Sequence, residues 1–246
     1  MHKIAQIRSL TRRKAVAALG AGAVLAVAGG RARYALAAGD KTSGALRCVV
    51  TPKQTEGPYF VDEKLARSHI RSDPADGSVQ AGVPLRLAFN VSRVGGGACA
   101  PLAGAVVDIW HCDALGNYSD VKDGDARFDT RGRKFLRGYQ VTDAGGNVEF
   151  LTIYPGWYEG RAIHIHFKIR SDLKGATHYA FTSQVYFDEA VTRQVMAQGP
   201  YAGKHGSAMK NADDEIFQDG GKYLMLQLTK DVQGYAGRFD IGLKIA

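Results

Sequence analysis

Eight runs of alternating or continuous apolar residues follow one another along the chain, each bounded by Gly, Asp or Asn. Runs of this length and pattern are typical of β-strands, because successive side chains of an extended chain point to opposite faces. Many short strands separated by turn residues predict an all-β fold, a β-sandwich of mainly antiparallel strands. The predicted strands are residues 84–94, 104–112, 135–142, 147–153, 162–170, 181–187, 223–230 and 239–245.

The polar segments between these runs predict the connections. Residues 143–147, Asp-Ala-Gly-Gly-Asn, indicate a tight hairpin loop. One short helix is expected, with Asp188 as its N-cap and its end at Gly199-Pro200. Residues 113–134 and 200–220 are polar and rich in Gly and Asp, which predicts long loops where functional side chains tend to lie.

The positive charge of the chain is concentrated at its N-terminal end. The formal net charge is +8, but residues 1–37 carry seven cations and no acid, which leaves 25 Lys and Arg against 24 Asp and Glu in the remainder. Because the excess of positive charge lies in this one segment, it gives no support for nucleic-acid binding.

That end has the pattern of an export signal. Arg12 and Arg13 precede a run of small apolar residues, 15–28, that is too short and too weakly hydrophobic to span a bilayer comfortably, and residues 35–37 supply an A-x-A cleavage site. The paired arginines resemble a twin-arginine signal, with a Sec signal or a retained amphipathic anchor as the alternatives. We therefore expect residues 38–246 to form one mature domain that has no membrane span and is periplasmic or extracellular.

The three cysteines, Cys48, Cys99 and Cys112, leave the disulfide question open. An oxidising destination permits one disulfide. Cys99 and Cys112 flank an apparent strand, and an extended chain rises about 3.3 Å per residue, which places these two beyond bonding distance. The alternatives are a bond from Cys48 to Cys99 or Cys112, or three separate buried thiols.

Two histidines give the first indication of chemistry. On an extended strand, His164 and His166 lie on one face and the apolar residues between and beyond them lie on the other. Two neighbouring imidazoles can share a metal, although an isolated His-x-His pair is also found as core or solvent-facing histidines. No acidic residue has the spacing of a two-His, one-carboxylate site, whereas Tyr158 lies six residues before His164 and Tyr118 follows the strand predicted at 104–112.

Five motifs in this order resemble the intradiol ring-cleavage dioxygenases, the family that includes catechol 1,2-dioxygenase and protocatechuate 3,4-dioxygenase. Each motif is modest alone, but their order and spacing are specific, and the resemblance covers about residues 48–230. The motifs are Thr-Glu-Gly-Pro-Tyr at 55–59, residues 110–118 from Trp to Tyr, Pro-Gly-x-Tyr at 155–158, Arg-x-x-His-x-His at 161–166 and Gln-Val-Tyr-Phe at 184–187.

The resemblance implies one ferric ion per chain, bound by two tyrosines and two histidines. By motif match these ligands are Tyr118, Tyr158, His164 and His166. The resemblance also places Arg161 and Gln184 against the substrate, and Pro58 and Tyr59 in the wall of its pocket.

The donor set agrees with this chemistry, because hard phenolate oxygens suit a trivalent cation whose charge favours the phenolate form. Arg161 keeps its charge throughout and can stabilise anionic character on the substrate ring. It can reach the substrate only if residues 159–162 leave strand geometry, which Gly160 permits.

The expected activity is cleavage of a small catecholic ring by O2 to a muconate-type dicarboxylate. The alternatives are a β-sandwich ligand-binding module that has lost catalysis, and a zinc or copper enzyme built on the His-x-His strand. Intracellular family members carry a longer insert between the second tyrosine and the first histidine, and catechol 1,2-dioxygenases dimerise on an N-terminal helical region that residues 38–80 do not match. Dimerisation by that route is not expected, and the oligomeric state and the ring substituents remain open.

Overall fold

The predicted strands form two sheets. The computed structural model describes residues 49–245 except 97, 126 and 172–178. The predicted signal at residues 1–37 and Cys48 lie outside the described residues. Among the described cysteines, Cys112 is a free buried thiol and Cys99 is disulfide-bonded, so the two are not joined to each other.

The first sheet is built around one long strand. β1 pairs antiparallel with β5 through its first half and with β2 through its last residues, while β9 runs parallel to it and pairs in turn with β8. The strands are β1 (Pro84–Gly95), β2 (Ala98–Pro101), β5 (Asn147–Ile153), β8 (Gln227–Lys230) and β9 (Tyr235–Leu243).

The second sheet is antiparallel and has the order β4-β3-β6-β7. Its members are β3 (Val106–Trp110), β4 (Arg137–Val141), β6 (His164–Arg170) and β7 (Ala180–Tyr186). The rings of Phe89, Phe167 and Phe239 meet in the core, with centroids 5.3 to 6.5 Å apart. The two sheets thus form the predicted all-β sandwich.

Helical structure is short in the described residues. α1 (Glu189–Met196) begins as predicted, because the Asp188 carboxylate accepts hydrogen bonds from the amides of Ala190 and Val191. It ends before the predicted Gly199-Pro200 stop. α2 (Glu215–Gln218) is a single turn, and three 3₁₀ turns lie at Tyr201–Gly203, Asn211–Asp213 and Gly221–Tyr223. None of the helices in the described ranges combines the length and apolar character needed to cross a membrane.

The tight loop predicted at 143–147 forms, but it is not the predicted hairpin: β4 and β5 lie in different sheets, and the loop carries the chain from one sheet to the other. Asp143 accepts hydrogen bonds from the amides of Gly145 and Asn147. Gly146 has φ of 78°, and a Cβ atom there would lie 2.2 Å from the Val91 carbonyl oxygen. Glycine is therefore required at this position on two grounds.

Every predicted strand except β5 has at least one boundary that differs from the prediction, by one to four residues, and β2 was not predicted. Two of these differences concern the starts of β6 and β8. The run at 162–170 becomes β6 only from His164. The run at 223–230 becomes β8 only from Gln227, because Leu224 and Leu226 exchange backbone hydrogen bonds with Tyr186 at the end of β7 instead. The first difference determines where Arg161 lies.

Candidate functional site

The site begins on the face of β6 that points away from the core. Ile165 and Phe167 are fully buried in the core between the sheets, which confirms the alternation predicted for this strand. His164 and His166 project from the other face and are 2% and 1% exposed, because loops cover them. Their Nε2 atoms lie 3.0 Å apart.

Two tyrosines from different loops complete the cluster. Tyr118 reaches it from the segment after β3, and its Oη lies 3.4 Å from His164 Nε2. Tyr158 comes from the segment between β5 and β6, and its Oη lies 3.3 Å from the same nitrogen. The structure therefore brings together the four side chains that the motifs single out, with their donor atoms at one point.

A backbone contact fixes the protonation of His164. Its Nδ1 lies 2.6 Å from the carbonyl oxygen of Ala162, which can only accept, so Nδ1 carries the proton and Nε2 presents its lone pair to the cluster. Burial holds the pKa of both His164 and His166 well below the usual value. Both imidazoles are therefore neutral, the form that binds metals.

His166 is held by packing. Its ring stacks on Trp110, with centroids 4.9 Å apart and planes 5° from parallel. On another side lies Gly57, where a Cβ atom would stand 3.4 Å from His166 Cε1. The buried Nδ1 of His166 has no hydrogen-bond partner among the described residues. On the Nδ1 side, packing contacts rather than a hydrogen bond thus set the orientation of this ring.

The donor set fits a hard cation. Burial raises the pKa of Tyr118 and Tyr158, so without a cation both stay neutral phenols, and a cation at the centre would favour their phenolates. In the described residues, no group of three or more His, Cys, Asp or Glu could hold a metal. Any metal in this cluster would therefore depend on the tyrosines.

Arg161 reaches the cluster because the chain turns before β6. Gly160 has φ of 80°, which takes residues 159–162 out of strand geometry as the sequence suggested. Nη1 of Arg161 lies 3.5 Å from both Tyr158 Oη and His164 Nε2. Nη2 donates to Gln184 Oε1 at 2.6 Å, and Gln184 is the cross-strand partner of His166 on β7. Gln184 therefore holds the guanidinium through Nη2.

Tyr59 packs against the cluster, and Pro58 precedes it in the chain. Tyr59 stacks on Tyr118 with ring centroids 4.6 Å apart, and it borders a cavity of about 190 Å³ that Tyr158 also lines. Pro58 and Tyr59 both line a neighbouring, more open cavity of about 460 Å³. Burial and the hydrogen bond to Asp123 raise the pKa of Tyr59 to about 12. Its phenol is therefore neutral at physiological pH.

Several supporting residues were not found from the sequence. Asp123 accepts from Tyr59 Oη at 2.6 Å and forms two hydrogen bonds with Arg127, both at 2.9 Å. Lys204 Nζ donates to the carbonyl oxygen of Trp157 at 2.6 Å and lies 4.3 Å from the centroid of the Trp157 ring. Trp157 directly precedes Tyr158 in the chain. Asp123 and Lys204 lie in the two long loops that the composition predicted, but nothing in the sequence indicated their partners.

His111 is a core residue. Nδ1 lies 2.8 Å from the carbonyl oxygen of Cys112 and Nε2 lies 2.6 Å from Thr152 Oγ1, so both ring nitrogens are hydrogen-bonded. Asp108, on the same strand, forms two hydrogen bonds of 2.8 Å with Arg170. Neither residue takes part in the cluster.

Comparison with known proteins bears on the origin of this arrangement. A family model described as dioxygenase matches residues 55–200. Catechol 1,2-dioxygenase 1 of Acinetobacter lwoffii is 30% identical over 140 residues, which are 50% of this chain and 42% of that protein. Chlorocatechol 1,2-dioxygenase of Pseudomonas sp. (strain P51) is 32% identical over 146 residues, 54% of each protein. The chain thus spans about half the length of these two relatives.

A solved structure matches more of the chain. The intradiol ring-cleavage dioxygenase from Tetranychus urticae superposes with a TM-score of 0.69 at 32% identity and covers 80% of this chain and 95% of its own. The family match includes Pro58, both tyrosines of the cluster and the whole of β6. By sequence and by fold, the chain belongs to the intradiol ring-cleavage dioxygenase family.

Proposed function

We propose that the chain is a non-haem Fe(III)-dependent intradiol dioxygenase that cleaves a small catecholic ring with O2 and releases a muconate-type dicarboxylate. The observation that carries the proposal is the convergence of two phenol oxygens and two imidazole nitrogens: the oxygens of Tyr118 and Tyr158 and Nε2 of His166 lie 3.0 to 3.4 Å from His164 Nε2. The relatives named for catechol and chlorocatechol support a catecholic substrate.

The residues that would hold one ferric ion are Tyr118, Tyr158, His164 and His166. Bound there, the ion would supply a Lewis acid that takes the two catechol oxygens and draws electron density from the ring. The chain contributes the surroundings: it buries the donors, fixes the tautomer of His164 through Ala162 and admits substrate beside Tyr158.

Arg161 supplies a permanent positive charge at the edge of the site. A guanidinium does not lose its proton in proteins, so its charge is present throughout the reaction. Held by Gln184 at 2.6 Å, it is already oriented and needs little reorganisation as negative charge develops on the substrate. Tyr59, in contrast, carries no charge at physiological pH, because its pKa is about 12. It contributes an aromatic surface beside Tyr118.

The test combines iron content, colour and product. Purified protein should hold about one iron per chain, show the visible charge-transfer band of tyrosinate bound to Fe(III), and convert catechol to a ring-opened dicarboxylate. His164→Ala should lose most of the iron, because one of four protein ligands is removed.

A matched pair of variants tests the tyrosines. Tyr158→Phe should weaken or shift the visible band, whereas Tyr154→Phe removes a buried phenol that is hydrogen-bonded to Thr192, outside the cluster, and should leave the band unchanged. A colourless wild type that binds catechol without consuming O2 would favour the ligand-binding alternative. Stoichiometric iron in His164→Ala would contradict the assigned ligands.

We also propose that the enzyme is exported through its N-terminal twin-arginine signal. The support is the arginine pair ahead of a small apolar run and an A-x-A site, all within residues 1–37. The mature protein should begin near residue 38. Replacing Arg12 and Arg13 by Lys should retain the precursor in the cytoplasm, and normal export of that variant would point to the Sec route instead.

A further inference from the structure

A buried carboxylate outside the metal cluster connects the loop at 200–220 to the catalytic segment. Asp214 is 1% exposed and accepts four hydrogen bonds. Its Oδ2 accepts from Arg161 Nε at 3.0 Å and from the Ala162 amide at 2.8 Å. Its Oδ1 accepts from the amides of Ile216 and Phe217 at 2.8 and 3.2 Å, at the start of α2. Every strong acceptor position is filled, so Asp214 has no capacity left for a metal or a substrate proton.

The contact with Nε determines where the rest of the guanidinium points. Asp214 holds Nε, Gln184 holds Nη2 at 2.6 Å, and the remaining Nη1 lies 3.5 Å from Tyr158 Oη and His164 Nε2. A guanidinium is planar, so fixing two of its three nitrogens fixes the third. The orientation of Arg161 toward the site therefore depends on an acceptor 53 residues away in the sequence.

Asp214 Oδ2 is also connected to His164, through the backbone of Ala162. It accepts from the Ala162 amide, and the Ala162 carbonyl in turn accepts from His164 Nδ1 at 2.6 Å. The peptide units around Ala162 are thus held at the point where the chain leaves the turn at Gly160 and enters β6. No regular strand pairing holds residue 162, because β6 begins at His164.

We propose that Asp214 is a positioning residue for ring cleavage: it holds Arg161 at the substrate side of the cluster and acts on turnover through that side chain. This inference rests on the proposed function. It assigns Asp214 no contact with substrate or metal. Misplacing a catalytic group by about 1 Å can cost about a hundredfold in rate, so an unclamped arginine should lower kcat strongly even though it keeps its charge.

The fold offers a matched control for this carboxylate. Asp73 is 0% exposed, and its Oδ2 accepts from Arg133 Nε at 2.8 Å and from the Lys134 amide at 3.0 Å. Its Oδ1 accepts from the Ala75 amide at 2.9 Å. Asp73 thus makes the same contacts as Asp214, to an arginine and to the next residue's amide, but it has no contact with the cluster. Asn at either position keeps one oxygen and turns an NH2 group toward donors: toward two in either orientation at 214, and toward at least one at 73.

The experiment compares Asp214→Asn and Asp73→Asn, each in the wild-type and the Arg161→Leu background, at equal iron content. Asp214→Asn should lower kcat by at least about tenfold in the wild type. In the Arg161→Leu background it should change kcat by less than about twofold, because residues that act through one another have non-additive effects. Asp73→Asn should leave kcat within about twofold in both backgrounds.

A second variant covers the case in which Asp214→Asn does not fold. Asp214→Ser keeps a hydroxyl oxygen that can cap α2, but it is too short to hold Arg161 and Ala162 as well. Hydrogen exchange of the iron-loaded protein supplies a readout independent of activity. The Ala162 amide should exchange faster in Asp214→Ser than in the wild type or in Asp73→Asn.

Two results would overturn the inference. One is that Asp214→Asn lowers kcat by the same factor in the Arg161→Leu background as in the wild type, since that would show a general structural effect. The other is unchanged exchange at Ala162. If wild-type protein cleaved no catechol, the proposed function would fail, whereas faster exchange at Ala162 would still support Asp214 as the residue that holds this segment.

Discussion

Acidification should destabilise the fold through one buried histidine, His111. Its Nδ1–H donates to the Cys112 carbonyl and its Nε2 accepts from the Thr152 hydroxyl, so the neutral ring has both nitrogens satisfied. Burial lowers the pKa of this histidine from 6.5 to about 4. Protonation would put a charge in the core and remove the acceptor for Thr152.

The size of the effect follows from that pKa. In the unfolded chain His111 takes up a proton as the pH falls below its ordinary pKa, while in the folded chain it resists until about pH 4. The unfolded state therefore binds more protons in this window, and stability falls with pH there. The contribution is complete above about pH 6.5 and about 3 kcal/mol of it is lost by about pH 4.

Urea unfolding of wild type and His111→Asn, at about pH 7.5 and about pH 4 and at equal iron content, measures this term. Carboxylates and the cluster histidines titrate in both proteins, so they cancel in the difference between the two. The variant should be less stable at neutral pH, and the gap should narrow by about 3 kcal/mol at the acidic pH. His69→Asn makes the same change at an exposed position and is the control for the substitution itself. An equal gap at both pH values would refute the reasoning.

Three further changes test other parts of the structure. Arg161→Leu should keep the iron and the colour but lower kcat by about a hundredfold, measured as ring-opened product at equal iron content, and full activity would leave Arg161 a structural cation. Gly116→Ala should lower Tm more than Gly132→Ala, because both have positive φ but only the first places Cβ 2.3 Å from the Trp157 carbonyl oxygen. Phe167→Ala should cost about 3 to 5 kcal/mol of unfolding free energy, and a loss below about 1 kcal/mol would contradict its place in the core.

The strands and the histidine pair could be predicted because their signal is local. A period of two along residues 162–170 places Phe167 in the core and His164 and His166 on the opposite face. The glycine at 160 also marks the turn that lets Arg161 leave the strand. Boundaries were less accurate where tertiary pairing decides them, as at Leu224, whose backbone pairs with Tyr186 rather than extending β8.

The residues that hold the site in place could not be read from the sequence in the same way. Asp214 precedes Glu215 and a short helical turn, a pattern fully explained by N-capping, and its Oδ1 does accept from the first amides of α2. The second oxygen serves Arg161, and that contact depends on how a long loop folds over the sheet. Because N-capping of α2 already accounts for an aspartate at 214, the sequence gives no sign that the same side chain also holds Arg161.

Asp123, in the loop at 113–134, likewise combines a local and a distant contact. It accepts from two backbone amides in its own loop, those of Asp125 and Arg127, which a sequence rich in Gly and Asp predicts. The same carboxylate also takes the Tyr59 hydroxyl, whose ring stacks on Tyr118. In both long loops, one acidic residue shapes its own turn and orients an aromatic or cationic side chain beside the donor cluster. The loops can therefore be long and polar and still give the cluster fixed walls, because each is joined to it through a buried carboxylate.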